Sequence, residues 1–191
     1  SFVVSSPVRA RYVNLVLRGN GWIMLSEVRI MDGGTNLARL PGVHYTLRPL
    51  PTAADQTPPQ YADDGVRLTD GIVADTFNPR SIVGWEDGVE HSFTVDLGRL
   101  LRVGTVTVWS IGGGASGIYA PKAVAVEGSA DGVSWTPWGD ASANVGSEDG
   151  SRSVGVPYRL ALKRTAEVRY VRVRVQPSRG WAMVSEIEVR P

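Results

Sequence analysis

Short runs of alternating apolar and polar residues dominate the second half of this chain and constrain its fold more than any other feature. The clearest runs are residues 91–97 (HSFTVDL), 103–109 (VGTVTVW), 122–128 (KAVAVEG) and 167–175 (EVRYVRVRV). Alternation with a period of two is typical of a β-strand that packs one face on a core and exposes the other to water. No long segment shows the apolar stripe of an amphipathic helix.

Turn-forming residues separate these runs. The chain contains 22 glycines and 12 prolines, and the pairs Asp87-Gly88, Asp131-Gly132 and Asp149-Gly150 supply the glycine that hairpins and type II turns need. Many short strands joined by tight turns indicate an all-β fold.

One segment of the sequence occurs twice. Residues 11–17 (RYVNLVL) and 21–30 (GWIMLSEVRI) match residues 169–175 (RYVRVRV) and 180–189 (GWAMVSEIEV) with a gap of one residue. Each copy is predicted to be a hairpin. Residues 1–33 are therefore either the closing strands of an upstream domain or an extra hairpin that covers a sheet edge, and residues 34–191 form the domain itself.

Charge and composition exclude several classes of function. Twenty basic and nineteen acidic residues give a formal net charge of +1, which provides no field to attract nucleic acid or an anionic membrane. The absence of cysteine excludes disulfides, thiolate metal sites and a cysteine nucleophile. No run of roughly 18 apolar residues predicts membrane insertion. Because the chain opens on Ser1, we expect a soluble piece of a longer protein.

Four segments carry a resemblance to a known family. They are residues 68–71 (LTDG), 93–98 (FTVDLG), 120–135 (APKAVAVEGSADGVSW) and the closing segment 169–189. In this order they resemble the discoidin family, which includes the C-terminal domains of coagulation factors and the bacterial carbohydrate-binding modules of family 32. The resemblance implies a jelly-roll β-sandwich of the galactose-binding/discoidin type, with its ligand loops gathered at one end. The missing terminal cysteine pair points to the bacterial branch.

The same resemblance implies a structural calcium ion. In this family an Asp on one loop, backbone carbonyls and a Glu on the last strand hold the ion, and Asp70 and Glu186 match these two positions. Asp75 is a third candidate ligand. The alternative is that Asp70 only caps a turn and Glu186 is a solvated strand residue.

Carbohydrate recognition needs aromatic faces on loops, together with fixed polar groups for the sugar hydroxyls. The aromatic candidates are Trp85, Tyr119 and Trp181, and the alternative for each is a packing role. Trp22 holds the place of Trp181 in the other copy, which favours a structural role for both, while Trp109 and Trp135 lie in strand patterns and are expected in the core. The polar candidates are Asp63, Asp64, Arg80, Glu86, His91 and Arg179.

The sequence lacks the patterns of common catalytic sites. It has two histidines and no nucleophile elbow, zinc-binding helix or phosphate-binding loop. The sequence thus predicts a non-catalytic module, monomeric within a multidomain chain. The module attaches a larger secreted or cell-surface bacterial protein to a polysaccharide, and that larger protein acts on glycans. The alternatives are a protein-binding or cell-surface adhesion domain and a small jelly-roll polysaccharide lyase.

Overall fold

The computed structural model describes residues 10–18, 21–32, 35–36, 39–48, 61, 63–85 and 90–191. Within these residues the regular secondary structure is almost entirely strand, with short 3₁₀ turns at Arg39 and at Ala115–Gly117. No helix in this part of the chain has the length and apolar character needed to span a membrane. In chain order the strands are β1 (Ala10–Arg18), β2 (Gly21–Asp32), β3 (Thr35–Asn36), β4 (His44–Arg48), β5 (Val83–Trp85), β6 (His91–Asp96), β7 (Leu101–Gly112), β8 (Ala123–Ser129), β9 (Thr136–Ala141), β10 (Val154–Gln176) and β11 (Gly180–Arg190).

The all-β prediction is confirmed, and the four alternating runs coincide with β6, β7, β8 and β10 to within one residue at an end or lie inside them. The strands form a curled, mainly antiparallel sheet that folds into a jelly-roll sandwich. β7 and β10 are longer than their alternating segments, with 12 and 23 residues. Long strands of this kind bend from one layer of a sandwich to the other.

β10 connects the two layers. Its first part, residues 154–161, is antiparallel to β7, and its last part, residues 170–176, is antiparallel to β8. A bulge between Ala161 and Ala166 interrupts the pairing with β7, which resumes at residues 166–168 before β10 turns to β8, as expected where a strand changes direction. After a short corner, β11 returns antiparallel to β5 and β7.

The core lies between these layers and follows the period-two pattern. In β6 the side chains alternate between buried and half-buried along the whole strand, and Phe93 and Val95 are fully buried. Val171, Val173 and Val175 of β10 are likewise fully buried. Each side chain of this size contributes about 1.5 to 3 kcal/mol when it leaves water.

A bidentate ion pair fixes β6 beside β10. The Asp96 carboxylate accepts hydrogen bonds from Nε and Nη2 of Arg169, each at 2.7 Å. Next to this pair, the amide of Leu97 donates to the carbonyl of Arg169 at 3.0 Å. Two of the segments that carry the family resemblance are thus in direct contact.

The predicted turns at residues 131–132 and 149–150 are present. Gly132 and Gly150 have positive φ angles of 77° and 84°, and Oδ1 of Asp131 accepts hydrogen bonds from the amides of Val133 and Ser134 at 2.8 Å. Asp87-Gly88 lies outside the described residues.

The two copies of the repeated segment pair with the same strand edges. β1 and the last part of β10 are both antiparallel to β8, so that Ala123 is opposite Arg18 in one pairing and Gln176 in the other. β2 and β11 are both antiparallel to β5 and β7, and Ser110 is opposite Leu25 or Val184. Each copy also runs parallel to the other and in register with it.

These pairings correct the predicted hairpin. The two strands of each copy have different neighbours, β8 for the first and β5 and β7 for the second, so each copy is a corner between layers. The strands of the first copy, β1 and β2, pair with the same edges of β8, β5 and β7 as β10 and β11 do. We call these edges of β8, β5 and β7 the closing position.

The Trp-x-Met-x-Ser-Glu sequence has a structural explanation in its C-terminal copy. Met183 is buried, and the hydroxyl of Ser185 donates to the carbonyl of Trp109 at 3.3 Å. In return the hydroxyl of Ser110 donates to the carbonyl of Met183 at 3.1 Å. These side-chain bonds supplement the backbone pairing of β11 with β7.

Candidate functional site

Several turns meet at one end of the sandwich, where β7 ends at Gly112. Gly112 is opposite Val154 in the β7–β10 pairing, and an isolated bridge joins Ile118 to Trp181. The segments 112–122, 148–153 and 177–181 are therefore neighbours, and we call this region the loop end. Phe77 also belongs to it, because its amide donates to Oγ of Ser153 at 3.1 Å.

A small apolar cluster forms the floor of the loop end, and aromatic rings lie on it. The buried members are Ala74, Ile82, Ile111, Ile118 and Met183. Tyr61, Phe77 and Trp181 are partly buried against them. The ring centroid of Tyr61 is 5.2 Å from that of Trp181 and 6.1 Å from that of Phe77. Three partly accessible rings side by side are suited to an apolar ligand face.

Arg179 and Tyr119 form a contact beside these rings. The guanidinium carbon of Arg179 lies 3.8 Å from the centre of the Tyr119 ring, within the range of a cation–π interaction. Arg179 is exposed, so the ring holds a side chain that still presents its N–H donors to solvent. The structure therefore brings together three predicted residues: Tyr119, Trp181 and Arg179.

The segment that contains Glu148 supports the backbone of residues 112–122, which we call the Tyr119 loop. One oxygen of Glu148, Oε1, accepts from the amide of Ala120 at 2.5 Å and from that of Gly113 at 3.4 Å. Gly113 has a φ of +98°, and a Cβ there would lie 2.3 Å from the carbonyl oxygen of Arg152. A side chain at this position is thus excluded both by backbone conformation and by space.

Two predicted ligand residues lie in the core instead. Trp85 and His91 are both 0% exposed, and their rings stack with centroids 4.9 Å apart. Trp85 also makes an edge contact with Phe93. The packing alternative holds for Trp85, and neither residue is accessible to a sugar. Trp85 lies at the end of a three-residue strand buried at every position, which its glycine-bounded sequence did not reveal.

The acidic pair at residues 63–64 shapes a turn. Asp63 accepts a hydrogen bond from the hydroxyl of Tyr45 and another from the amide of Gly65, and Asp64 accepts from the amides of Val66 and Arg67. Burial raises the pKa of Asp63, although both hydrogen bonds oppose the shift. Both carboxylates are therefore engaged within the protein.

The remaining predicted residues have mixed positions. Arg80 is exposed in a turn between Phe77 and Ile82, next to the loop end. Glu86 lies outside the described residues. Trp135 is not a core residue, because it lies in the turn before β9, partly buried, with the Arg172 guanidinium 3.7 Å from its ring centre. Trp109 is partly buried within β7.

Sequence reasoning missed Tyr61, Phe77 and Glu148. Tyr61 and Phe77 lie in segments without periodicity, where a single aromatic gives no signal about its neighbours. Glu148 lies in a polar stretch before Asp149-Gly150, and only the folded chain brings it to the amides of the Tyr119 loop.

Two open grooves elsewhere are less suited to a sugar. One, of about 500 Å³, is lined by Asp140, Ser142, Ala143, Asn144, Pro157, Arg159 and Ala161. The other, of about 270 Å³, is lined by Thr46, Arg48, Glu90, Ser92, Thr94, Arg172 and Arg174. Neither lining includes an aromatic ring, and Arg174 is already paired with Glu127 at 2.9 Å.

The residues proposed for calcium fit the ion in part. Glu186 is 0% exposed, so the solvated alternative is wrong. The amide of its neighbour Ile187 donates to the carbonyl of Leu68 at 3.0 Å, which places Glu186 beside the loop that contains Asp70. These carboxylates and the loop carbonyls are all oxygen donors, as calcium requires.

Two observations limit the set of possible calcium ligands. Asp70 also caps its turn, because Oδ1 accepts from the amide of Ile72 at 2.7 Å. Among the described residues, no three His, Asp or Glu side chains converge on one point, so most ligands would be backbone carbonyls or water. Asp75 is exposed, and its carbonyl accepts from the amide of Gly155 at 2.8 Å.

Comparison with known proteins agrees with this architecture. The family model for the F5/8 type C domain matches residues 52–187. The chain belongs to the F5/8 type C domain family. The match begins after the N-terminal copy of the repeated segment and includes most of the C-terminal copy. No curated protein matches the chain.

Solved structures with a similar fold include two from bacteria. A module titled CpGH89CBM32-6, produced by Clostridium perfringens, is 17% identical, with a TM-score of 0.46, and the alignment covers 81% of this chain and 98% of the module. A Ruminococcus gnavus GH29 fucosidase in complex with fucose is 15% identical, with a TM-score of 0.41. That alignment covers 82% of this F5/8 type C domain chain and 26% of the fucosidase.

The Glu148 contacts make a testable prediction about the Tyr119 loop. Replacing Glu148 with Ala leaves the amides of Gly113 and Ala120 without this acceptor, at a cost of roughly 1 to 3 kcal/mol in the free energy of unfolding. Glu148→Gln keeps an oxygen acceptor, and we expect it to lose less than about 1 kcal/mol. Urea unfolding measures both values, and amide hydrogen exchange at Gly113 and Ala120 should accelerate only in the Ala variant. Equal losses in the two variants would contradict the acceptor role.

Proposed function

We propose that this domain is a non-catalytic carbohydrate-binding module whose ligand contacts the loop end. The observation that carries the proposal is the row of partly buried rings, Tyr61, Phe77 and Trp181, beside the Arg179–Tyr119 pair. Pyranose rings present an apolar C–H face that packs on aromatic rings, and hydroxyls that need fixed hydrogen-bond partners. This arrangement supplies both kinds of contact.

Arg179 has the clearest role in this proposal. A guanidinium carries five N–H donors in a rigid fork. The Tyr119 ring beneath Arg179 already restricts the rotamers of this side chain, so that it loses less conformational entropy on binding. A flexible arginine without such a platform would bind the same hydroxyls at a larger entropic cost. We therefore assign Arg179 to hydroxyl or carboxylate recognition and Tyr119 to the positioning of Arg179.

Family membership and the loop end together favour binding without catalysis. The carboxylate of Glu148, which contacts the Tyr119 loop, is occupied by backbone amides. In the proposed role the module attaches a larger secreted bacterial protein to a polysaccharide. That larger protein acts on glycans.

The binding proposal predicts the effect of single substitutions. Arg179→Ala should weaken the binding of a glycan identified on an array by about tenfold or more, the usual loss for a central arginine or aromatic contact, and Trp181→Ala should do the same. Titration calorimetry with the full chain measures the affinities, and melting curves show whether each variant remains folded.

Arg102→Ala provides the matched control for Arg179→Ala. Arg102 is also an exposed arginine, but it lies at the opposite end of β7, so this variant should bind like the parent. Absence of binding to every neutral and acidic glycan on the array, or equal affinities for Arg102→Ala and Arg179→Ala, would contradict the proposal and favour the adhesion alternative.

We also propose that Asp70 and Glu186 hold a structural calcium ion together with backbone carbonyls of the Asp70 loop. A bound calcium ion would be coordinated by the carboxylate of Glu186, which is 0% exposed. It would also join the Asp70 loop to β11, next to the Ile187–Leu68 hydrogen bond.

Calcium should therefore raise the melting temperature of chelator-treated protein. At a concentration about 100 times Kd, the stabilisation is about 2.7 kcal/mol, which corresponds to roughly 5 to 10 °C for a domain of this size. Asp70→Asn should remove this response. Asp149→Asn is the control, because Asp149 caps a similar Asp-Gly turn at 2.9 Å and should respond to calcium like the parent. The site is refuted by a parent that melts at the same temperature with and without calcium.

A further inference from the structure

Arg179 differs from the arginines of β10 in what it contacts. Arg169, Arg172 and Arg174 each pair with a carboxylate, at 2.7, 3.5 and 2.9 Å. Among the residues that the structure describes, Arg179 pairs with no carboxylate, and its contact is the Tyr119 ring, 3.8 Å from the guanidinium carbon. Arg179 is also exposed. Its positive charge is therefore available to a ligand.

The contact with Tyr119 leaves the N–H donors of Arg179 accessible. The guanidinium lies over the ring at 3.8 Å, so its face meets the ring, because an N–H aimed at the ring would bring its nitrogen inside van der Waals contact. The five N–H groups lie in the plane of the guanidinium and point past the ring. A planar fork of this kind matches the two oxygens of a carboxylate.

Several hydrogen-bond acceptors around the Tyr119 loop are already engaged. Oε1 of Glu148 accepts from two amides of this loop, and Oδ1 of Asp149 accepts from an amide of its own turn at 2.9 Å. Oγ of Ser153 accepts from the amide of Phe77 at 3.1 Å. A sugar hydroxyl both donates and accepts hydrogen bonds, whereas a carboxylate only accepts them. Available donors beside engaged acceptors therefore favour a carboxylate over a hydroxyl.

The charges of the loop end do not oppose an anionic ligand. The segments 112–122, 148–153 and 177–181 contain three cations and two acids, namely Lys122, Arg152 and Arg179 against Glu148 and Asp149. The segment around Phe77 adds Asp75 and Arg80, whose charges cancel. This end of the sandwich thus has a small excess of positive charge, and an approaching carboxylate is not repelled.

We propose that the loop end recognises a glycan that contains a uronic acid, and that Arg179 binds its carboxylate through two parallel N–H bonds. This inference rests on the proposed carbohydrate-binding function and names the class of sugar. The pyranose ring packs on Trp181 and the neighbouring rings, while the carboxylate, which is bonded directly to the pyranose, reaches Arg179 two residues away. A sulfate ester carries a similar charge on a longer connection, so the test includes it separately.

Matched oligosaccharides test the inference. Oligomers of galacturonate, glucuronate and mannuronate are each compared with their methyl esters, which keep the sugar ring and remove the charge. Sulfated galactose oligomers form a third group. Titration calorimetry with the full chain measures the affinities. We expect the uronate that binds most tightly to lose about tenfold or more in affinity as its methyl ester, and high salt to weaken the acid but not the ester.

Substitutions at Arg179 assign the preference to this side chain. Arg179→Gln removes the charge and should bind the acid and its ester equally. Arg179→Lys keeps the charge but loses the planar fork, so it should retain only part of the preference. Arg102→Gln is the matched control, because Arg102 is exposed at the opposite end of β7 and should leave the preference unchanged. Melting curves show whether each variant remains folded.

The outcomes separate this inference from the proposed function. Equal affinities of the parent for every acid and its ester, or binding of a neutral array glycan without binding of any uronate, would overturn the inference and leave carbohydrate binding standing. Tighter binding of the sulfated oligomers, or an undiminished preference for the acid in Arg179→Gln, would overturn it as well. Absence of binding to every glycan would overturn both.

Discussion

The rest of this structure depends on β10, the strand that belongs to both layers of the sandwich. Its first part bonds to β7 and its last part to β8, so the two layers cannot separate without breaking one of these pairings. The Asp96–Arg169 ion pair adds β6 to the same strand just after the bulge. A sandwich of short strands would otherwise rest on side-chain packing alone, and continuous backbone pairing through β10 makes its closure cooperative.

The geometry of the loop end follows from this strand. Where β10 ends at Gln176, the corner to β11 places Arg179 and Trp181 next to the segment that follows β7. The Glu148 contacts then fix the opposite side, so that Tyr119 meets Arg179. The rigid elements are strands, and the proposed ligand contacts lie on the turns between them, as is common in β-sandwich proteins.

Much of this fold could be predicted from the sequence, because period-two alternation and Asp-Gly turns are local signals. The run 91–97 predicts β6 almost to its ends, and the glycine of residues 131–132 has the expected positive φ. Pairing partners are not local. The repeated segment therefore looked like a hairpin, whereas its strands bond to different layers. For the same reason the burial of Trp85 could not be predicted, since its loop-like sequence carries no information about what covers it, whereas the alternation of residues 91–97 places His91 on the same face as Phe93 and Val95.

Binding of the ligand at the loop end is tested most directly by backbone amide chemical shifts during titration with an array-selected glycan. We expect the largest changes in residues 113–119 and 179–183 and at the indole N–H of Trp181, while the indole of Trp135 at the opposite end stays unchanged. Largest changes at the groove around Arg159, or at the one around Arg174, would contradict it.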